Sequence, residues 1–238
     1  PSIRVTGELV PLVKHTPHTK EMVFGIISEL LLNNEKKIND FMENQEVDFS
    51  FDYQGTARLR GNAFFTKGNI GIALRLIPKV RTLADLSLPP ILNEFPSKRQ
   101  GFFLVVGPVG QGKSTTMAAM VDHINTERAE HIVTIEDPIE YLHEPKRSII
   151  DQREVGIDSK TFETALKSVF REDVNVILIG EMRSAETIST AVTAAETGHL
   201  VISTLHTNNA SQTIDRIIDA FPGDQQDQIR VQLASSLI

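Results

Sequence analysis

The chain has 238 residues, 40% of them hydrophobic and 23% charged, with a formal net charge of -7 and a pI near 5.5. That is enough for a sizeable core in one or two domains, and the acidic balance argues against non-specific nucleic-acid binding, so no nucleic-acid partner is expected. With no cysteine, disulfides and thiolate metal sites are excluded, and no apolar run approaches the roughly 18–20 residues of a membrane span. No cleavable leader is expected, and the opening at Pro1 without a methionine fits a fragment or a trimmed chain.

Residues Ile3 to Val13 alternate loosely around Thr6-Gly7-Glu8, which predicts a small hairpin. Thr16-Pro17 has the form of a helix start, a cap followed by proline. Met22, Val23, Ile26, Ile27, Leu30 and Leu31 then form an apolar stripe, and a short helix is expected from Glu35 to Met42. Three strands follow, Val47 to Tyr53, Ala57 to Phe65 and Ile70 to Leu76, with Gly55 and Gly68 in the links. Val47, Phe49 and Phe51 alternate with Asp48, Ser50 and Asp52, so one face is buried and one is wet. Helices beside an antiparallel sheet make an α+β module. Its arginines, Arg58, Arg60 and Arg75, either line a solvated sheet face or aim planar guanidinium groups at a phosphate. The stretch from Pro78 to Pro96, rich in proline, reads as the joint between domains 1–96 and 97–238.

An apolar run, Phe102 to Val106, leads into Gly107-Pro108-Val109-Gly110-Gln111-Gly112-Lys113-Ser114-Thr115, which fits the phosphate-loop pattern at every fixed position. A helix is expected behind it, with Met117, Met120, Val121 and Ile124 at helical spacing. The glycines let backbone N–H groups close around a phosphate, and the helix start adds free N–H groups and a positive dipole end. Lys113 is expected to reach the outer phosphates and Ser114 to ligate Mg²⁺.

A second strand, His131 to Ile135, ends in Glu136-Asp137-Pro138-Ile139-Glu140-Tyr141. Three carboxylates at a strand end suit a general base for an attacking water, or simply a polar loop turning at Pro138. Gln152-Arg153-Glu154-Val155 reads as the start of a link. Thr161 caps a helix to Phe170, and Val174 to Ile179 is a third strand ending at Gly180-Glu181, where a carboxylate can handle Mg²⁺; Asp is more usual there. Ser184 caps a helix closed by Gly198. His199 and His206 bracket a fourth strand, Leu200 to Thr204. Two histidines suggest zinc, but no third ligand accompanies them, and a histidine sensing the γ-phosphate or a neighbouring subunit fits better. Asn209 to Phe221 and Gln225 to Leu237 close the chain as helices around a mostly parallel sheet.

Taken in order, these segments resemble the secretion ATPase superfamily, and most closely the type IV pilus retraction ATPases (the PilT family). Ile135 to Glu140 is similar to that family's aspartate box and Gly180-Glu181-Met182-Arg183 to its atypical Walker B. Thr197-Gly198-His199-Leu200-Val201 and Ser203-Thr204-Leu205-His206-Thr207 are similar to its histidine box. Thr193 to His199 and the tail Ile214 to Pro222 resemble the retraction branch; Gln111 and Gln100 depart from the usual Ser and Arg. The resemblance implies an α/β fold with a RecA-like phosphate-loop core and an N-terminal PAS-like α+β domain. A small carboxy-terminal helical part would lie beyond Ile238.

It also implies a hexameric, ATP-hydrolysing motor for pilus retraction and twitching motility. Such a motor is cytoplasmic and peripheral to the inner face of the membrane, against an inner-membrane platform protein, with each ATP between the two domains and against the next subunit. An ATP-binding accessory subunit with little hydrolysis of its own is the alternative. By residue, Gly107 to Thr115 would hold the nucleotide, with Ser114 and Glu181 at Mg²⁺. Glu140 would be the base; His206 and His199 would respond to the nucleotide; Arg58 and Arg75 would bring positive charge to the γ-phosphate. Hydrolysis would swing one domain on the Pro78–Pro96 joint.

Overall fold

The computed structural model describes residues 1–32, 34–54 and 57–238, so Gly55 lies outside the described residues. It divides into two compact units, Pro1–Pro78 and Lys79–Ile238.

The first unit opens with a hairpin, β1 (Ser2–Val5) and β2 (Glu8–Pro11), whose residues are all exposed. Helix α1 covers Lys20–Leu30 and α2 Glu35–Asn44. The start of α1 differs from the expected Thr16-Pro17. Thr19 is the cap, because its side chain is the one that accepts from the Met22 N–H. Strands β3 (Glu46–Tyr53), β4 (Ala57–Thr66) and β5 (Asn69–Ile77) form an antiparallel meander. The helices bury Ile27, Leu31 and Phe41 against Phe49, Ala63 and Ile70, and leave the Asp48/Ser50/Asp52 face of the sheet without helical cover. Of the apolar stripe on α1, Met22 and Ile26 stay exposed.

The second unit is built on a five-stranded parallel sheet in the order β6-β10-β9-β7-β8. The strands are β6 (Gly101–Val106), β7 (His131–Glu136), β8 (Ile149–Glu154), β9 (Val176–Ile179) and β10 (Leu200–Leu205). Helix α3 (Lys113–Glu127) covers one face, and α4 (Phe162–Val169), α5 (Ala185–Glu196), α6 (Ala210–Asp219) and α7 (Gln226–Ser236) the other. Strand alternation divides the core. Phe102, Ile177, Ile179 and Val201 meet the four-helix side, while Val176, Leu178, Leu200 and Ile202 meet α3.

Two stretches differ from the sequence reading. The segment expected to be a joint is packed from Leu83 onward, with Leu83, Leu86, Leu88 and Phe95 against α3, and Arg128 ties down its end by donating to the carbonyls of Pro96 and Lys98. The Gln152-Arg153-Glu154 stretch is strand β8 at the sheet edge rather than a link. Its polar side chains each find a partner: Asp151 accepts from His131, and Arg153 bonds Ser168 and Glu172.

Candidate functional site

All five strands run the same way, so the segments following β6, β7, β9 and β10 leave from one edge of the sheet, where such folds hold ligands. After β6 comes the glycine loop. Gly110 and Gly112 sit at φ +82° and +85°, a left-handed region in which a side chain would be strained. Helix α3 starts directly at Lys113. Side chains cap α1, α2, α4, α5 and α6 at Thr19, Asn34, Thr161, Ser184 and Asn209, but none caps α3. Its first N–H groups are therefore donors for an anion. Val109 at the loop apex is 81% exposed, as are Pro108, Gly110 and Gln111.

Lys113 is 8% exposed. Its Nζ donates to the carbonyls of Gly107 (2.8 Å) and Pro108 (3.0 Å) and lies 3.3 Å from His206 Nδ1. Burial holds its ammonium below the usual lysine range, against the pull of Glu140 and Glu181. His206, from the end of β10, reaches Glu181 with its other nitrogen, Nε2 to Oε2 at 3.7 Å. Glu181 follows β9 and is also held by Arg183, whose guanidinium lies 3.9 Å from Asp137. Ser203 and Thr204 of β10 donate to the carbonyls of Ile179 and Gly180, fixing the turn that carries Glu181.

After β7, Glu136 is half-buried, and desolvation raises its carboxyl above the ordinary carboxylate range despite bonds from Thr134, the Glu140 N–H and Gln152. Glu140 is exposed, with its backbone N–H 3.3 Å from Glu136 Oε2. Thus Lys113, Glu140, Glu181 and His206 belong to one electrostatic group.

His199 is not brought to this group. It precedes β10 while His206 follows it, a separation of about 20 Å along a strand of this length. His199 Nδ1 meets the Ala194 carbonyl, and its ring packs edge-on against Phe170. Among the described residues, no three His, Asp or Glu side chains are grouped to hold a metal ion. Arg58 and Arg75 lie in the first unit. Arg58 donates to Ser50 (3.2 Å), and Arg75 is exposed opposite Arg60.

Four residues at the site were given no role in it from the sequence: Thr134, Gln152, Glu154 and Tyr141. The phenol of Tyr141 lies 2.7 Å from Thr115 Oγ1, in the first turn of α3 directly behind the glycine loop. The alternation Gln152-x-Glu154 was the available signal, hidden by its polar composition.

The residues fit a magnesium nucleotide. An uncapped helix start and a buried lysine at the loop suit the phosphates, and the hydroxyl of Ser114 and the carboxylate of Glu181 suit a divalent cation. No helix among the described residues is long and apolar enough to cross a membrane.

The type II/IV secretion system protein family matches residues 4–237. A Pseudomonas aeruginosa protein called type IV pilus retractation ATPase PilT is 46% identical over 100% of this chain, which spans 68% of its length. A Neisseria gonorrhoeae twitching motility protein is 44% identical, and the chain spans 63% of it. The crystal structure of the pilus retraction motor PilT with bound ADP superposes with a TM-score of 0.91 at 45% identity, covering 100% of this chain and 69% of that one. The Legionella pneumophila ATPase DotB gives a TM-score of 0.81 at 26% identity, covering 99% of this chain and 67% of that one. Matched along nearly its whole length in sequence and in backbone, the chain belongs to the type II/IV secretion system protein family, among its PilT-type secretion ATPases.

Proposed function

We propose that the chain is the nucleotide-binding and hydrolysing part of a hexameric motor that uses ATP to drive type IV pilus retraction. It would act at the cytoplasmic face of the inner membrane against a platform protein, with nucleic acid playing no part. The observation that supports this most is the meeting of Lys113, His206 and Glu181 at one sheet edge, with the Glu140 carboxylate acting on the Lys113 ammonium. Phosphoryl transfer to water needs charge neutralisation and alignment more than covalent chemistry. The loop 107–115 would bind the phosphates through its backbone N–H groups, with Lys113 leaving the loop carbonyls for the outer phosphate oxygens. Glu140 would take the proton of the attacking water, a reading its solvent-exposed carboxylate supports. Ser114 and Glu181 would hold Mg²⁺, which when bound neutralises charge on the β- and γ-phosphates. His206, between Lys113 and Glu181, would register whether the γ-phosphate is present. His199, at the far end of β10, would respond to a neighbouring subunit, and Arg58 and Arg75 would add positive charge in the assembled ring. A domain swing would pivot upstream of Leu83, because the chain beyond it is packed onto α3.

The test is phosphate release by the full-length protein. Lys113→Ala should lose ATP binding and turnover. Glu140→Gln should still bind ATP but lose turnover by about 10²-fold or more; full-rate hydrolysis would move the base to Glu136 or Glu181. The alternative reading is an ATP-binding accessory subunit of a pilus or type II secretion machine with little turnover of its own. Negligible phosphate release by an intact hexamer would favour it. Deletion in the source cell that abolishes surface motility and keeps pili would support retraction, and loss of the pili would point to extension.

A further inference from the structure

We propose that Gln152 and Glu154, on the edge strand β8, are positioning residues for Glu140, acting with Glu136 and Tyr141 as a side-chain clamp on the loop that carries it. This rests on the reading of Glu140 as the general base. Residues 137–148 connect β7 to β8 without a helix or strand of their own. A loop of that kind has no backbone ladder to fix it, yet Glu140 and both its chain neighbours are tied. The Ile139 N–H donates to Glu154 Oε2 (3.1 Å), and the Glu140 N–H donates to Glu136 Oε2 (3.3 Å). The Tyr141 carbonyl accepts from Gln152 Nε2 (2.8 Å), and the His143 N–H donates to Gln152 Oε1 (2.9 Å). One glutamine amide thus uses its donor and its acceptor on two loop residues two positions apart. The Tyr141 hydroxyl adds a bond to Thr115, so the same loop is registered against the phosphate-binding loop.

The clamp follows from strand register. Thr134 and Glu136 on β7 are paired with Gln152 and Glu154 on β8. All four alternate onto the sheet face that packs against α3, the face of Ile132 and Ile150. There they meet one another: Thr134 donates to Glu136 at 2.7 Å, and Gln152 to Glu136 at 3.4 Å. Glu154 is 9% exposed, and a buried carboxylate is costly unless it is bonded. Its oxygen is spent on the amide immediately before Glu140. The supports are side chains on strands, the most rigid platform available, while the glutamate they present stays exposed. A displacement of about 1 Å in a reacting group can cost about 10²-fold in rate, so holding this backbone is worth more to turnover than to binding.

The experiment compares Glu154→Ala, Glu154→Gln, Gln152→Ala and Tyr141→Phe in the full-length protein. It measures steady-state ATPase, equilibrium binding of a fluorescent ATP analogue, and amide hydrogen exchange of residues 137–143 without nucleotide. Glu154→Ala and Gln152→Ala should lower kcat by about 10- to 100-fold, in line with a misplaced base. Analogue affinity should stay within about twofold, since neither residue belongs to the phosphate-binding loop, and exchange of 137–143 should rise. Glu154→Gln should recover most of kcat, because its amide oxygen still accepts from Ile139. Tyr141→Phe, which removes a single hydroxyl, should cost about 3- to 10-fold in kcat and carries the test if an alanine variant does not fold. Wild-type kcat and exchange in folded variants, parallel loss of affinity and kcat, or Glu154→Gln as damaging as Glu154→Ala would each overturn the clamp. Full-rate hydrolysis by Glu140→Gln would overturn the base assignment instead, and the exchange of 137–143 would then decide the clamp alone.

Discussion

His206 is the side chain whose chemistry is most constrained by its neighbours. The Lys113 ammonium has only donors, so Nδ1 of His206 is its acceptor at 3.3 Å and the ring proton is assigned to Nε2, facing Glu181 at 3.7 Å. His206→Ala removes the group between Lys113 and Glu181, and should lower turnover by roughly 10-fold or more while the fold survives, as phosphate release and a thermal melt would check. His143 is a second histidine with a measurable signature. Burial pulls its pKa from 6.5 to about 4, partly offset by Asp122, and among the described residues its buried Nδ1 has no hydrogen-bond partner. The unfolded chain therefore binds more protons between these values, so this residue's stabilisation is complete above pH 6.5 and is lost as the pH falls towards 4. Glu136 acts in the opposite sense. Its carboxyl is raised by burial, so its contribution is complete below the ordinary 4.5 and fades as the pH rises through its higher folded value. Urea midpoints at pH 7 and pH 5 should fall less on acidification in His143→Gln than in the wild type. Equal falls would remove His143 from the acid response.

Among the elements, legibility in the sequence follows burial chemistry. Strands β6, β7, β9 and β10 are mostly apolar runs, buried or half-buried, and each showed itself as one. Strand β8 did not, because its side chains are satisfied by specific partners, Asp151 by His131 and Arg153 by Ser168 and Glu172, rather than by apolar packing. Helix α3 starts at Lys113, ahead of the apolar periodicity that betrayed it, since the residues that open it serve the glycine loop and include no cap. The Leu83–Phe95 stretch looked like a joint because its prolines are visible in the sequence and its packing on α3 is not. In the first unit Gly61 and Gly71 each face a phenylalanine ring across the ladder, Gly61 the more tightly. A Cβ at Gly61 on β4 would lie 2.3 Å from the Phe49 ring directly across the ladder. Gly61→Ala should therefore cost about 1–3 kcal/mol through overpacking, read as a lower urea midpoint. An unchanged midpoint would mean that the Phe49 ring turns away freely. Leu83→Ala should cost about 2–5 kcal/mol if the stretch after Pro78 is part of the second unit's core.

For the whole molecule, the decisive question is what the arginine-bearing face of the first unit is for. Arg60 and Arg75 are direct partners across β4 and β5, and Arg58 stands two residues from Arg60 on the same face. Like charges placed opposite each other weaken a sheet by a few tenths of a kcal/mol to about 1 kcal/mol. Arg60 has Asp48 at 3.9 Å and Arg58 bonds Ser50, which lessens the repulsion. Arg75 is exposed, and a purely structural account gives its charge little to do. The two accounts predict opposite signs. If Arg75 only serves the sheet surface, Arg75→Ala leaves turnover alone and holds or slightly raises the urea midpoint. If it brings positive charge to a transferring phosphoryl group, turnover falls by about 10²-fold or more, the order seen when one such electrostatic donor is removed, while the midpoint still holds or rises. Lost turnover together with lost stability would fit neither account and would make Arg75 a folding residue. Phosphate release and urea unfolding on the assembled, full-length Arg75→Ala protein separate the three. Arg75→Lys sharpens the result, because an ammonium keeps the charge but loses the planar fork that binds phosphate oxygens in pairs. Turnover in between that of the wild type and Arg75→Ala is the expected mark of a guanidinium that meets a phosphate.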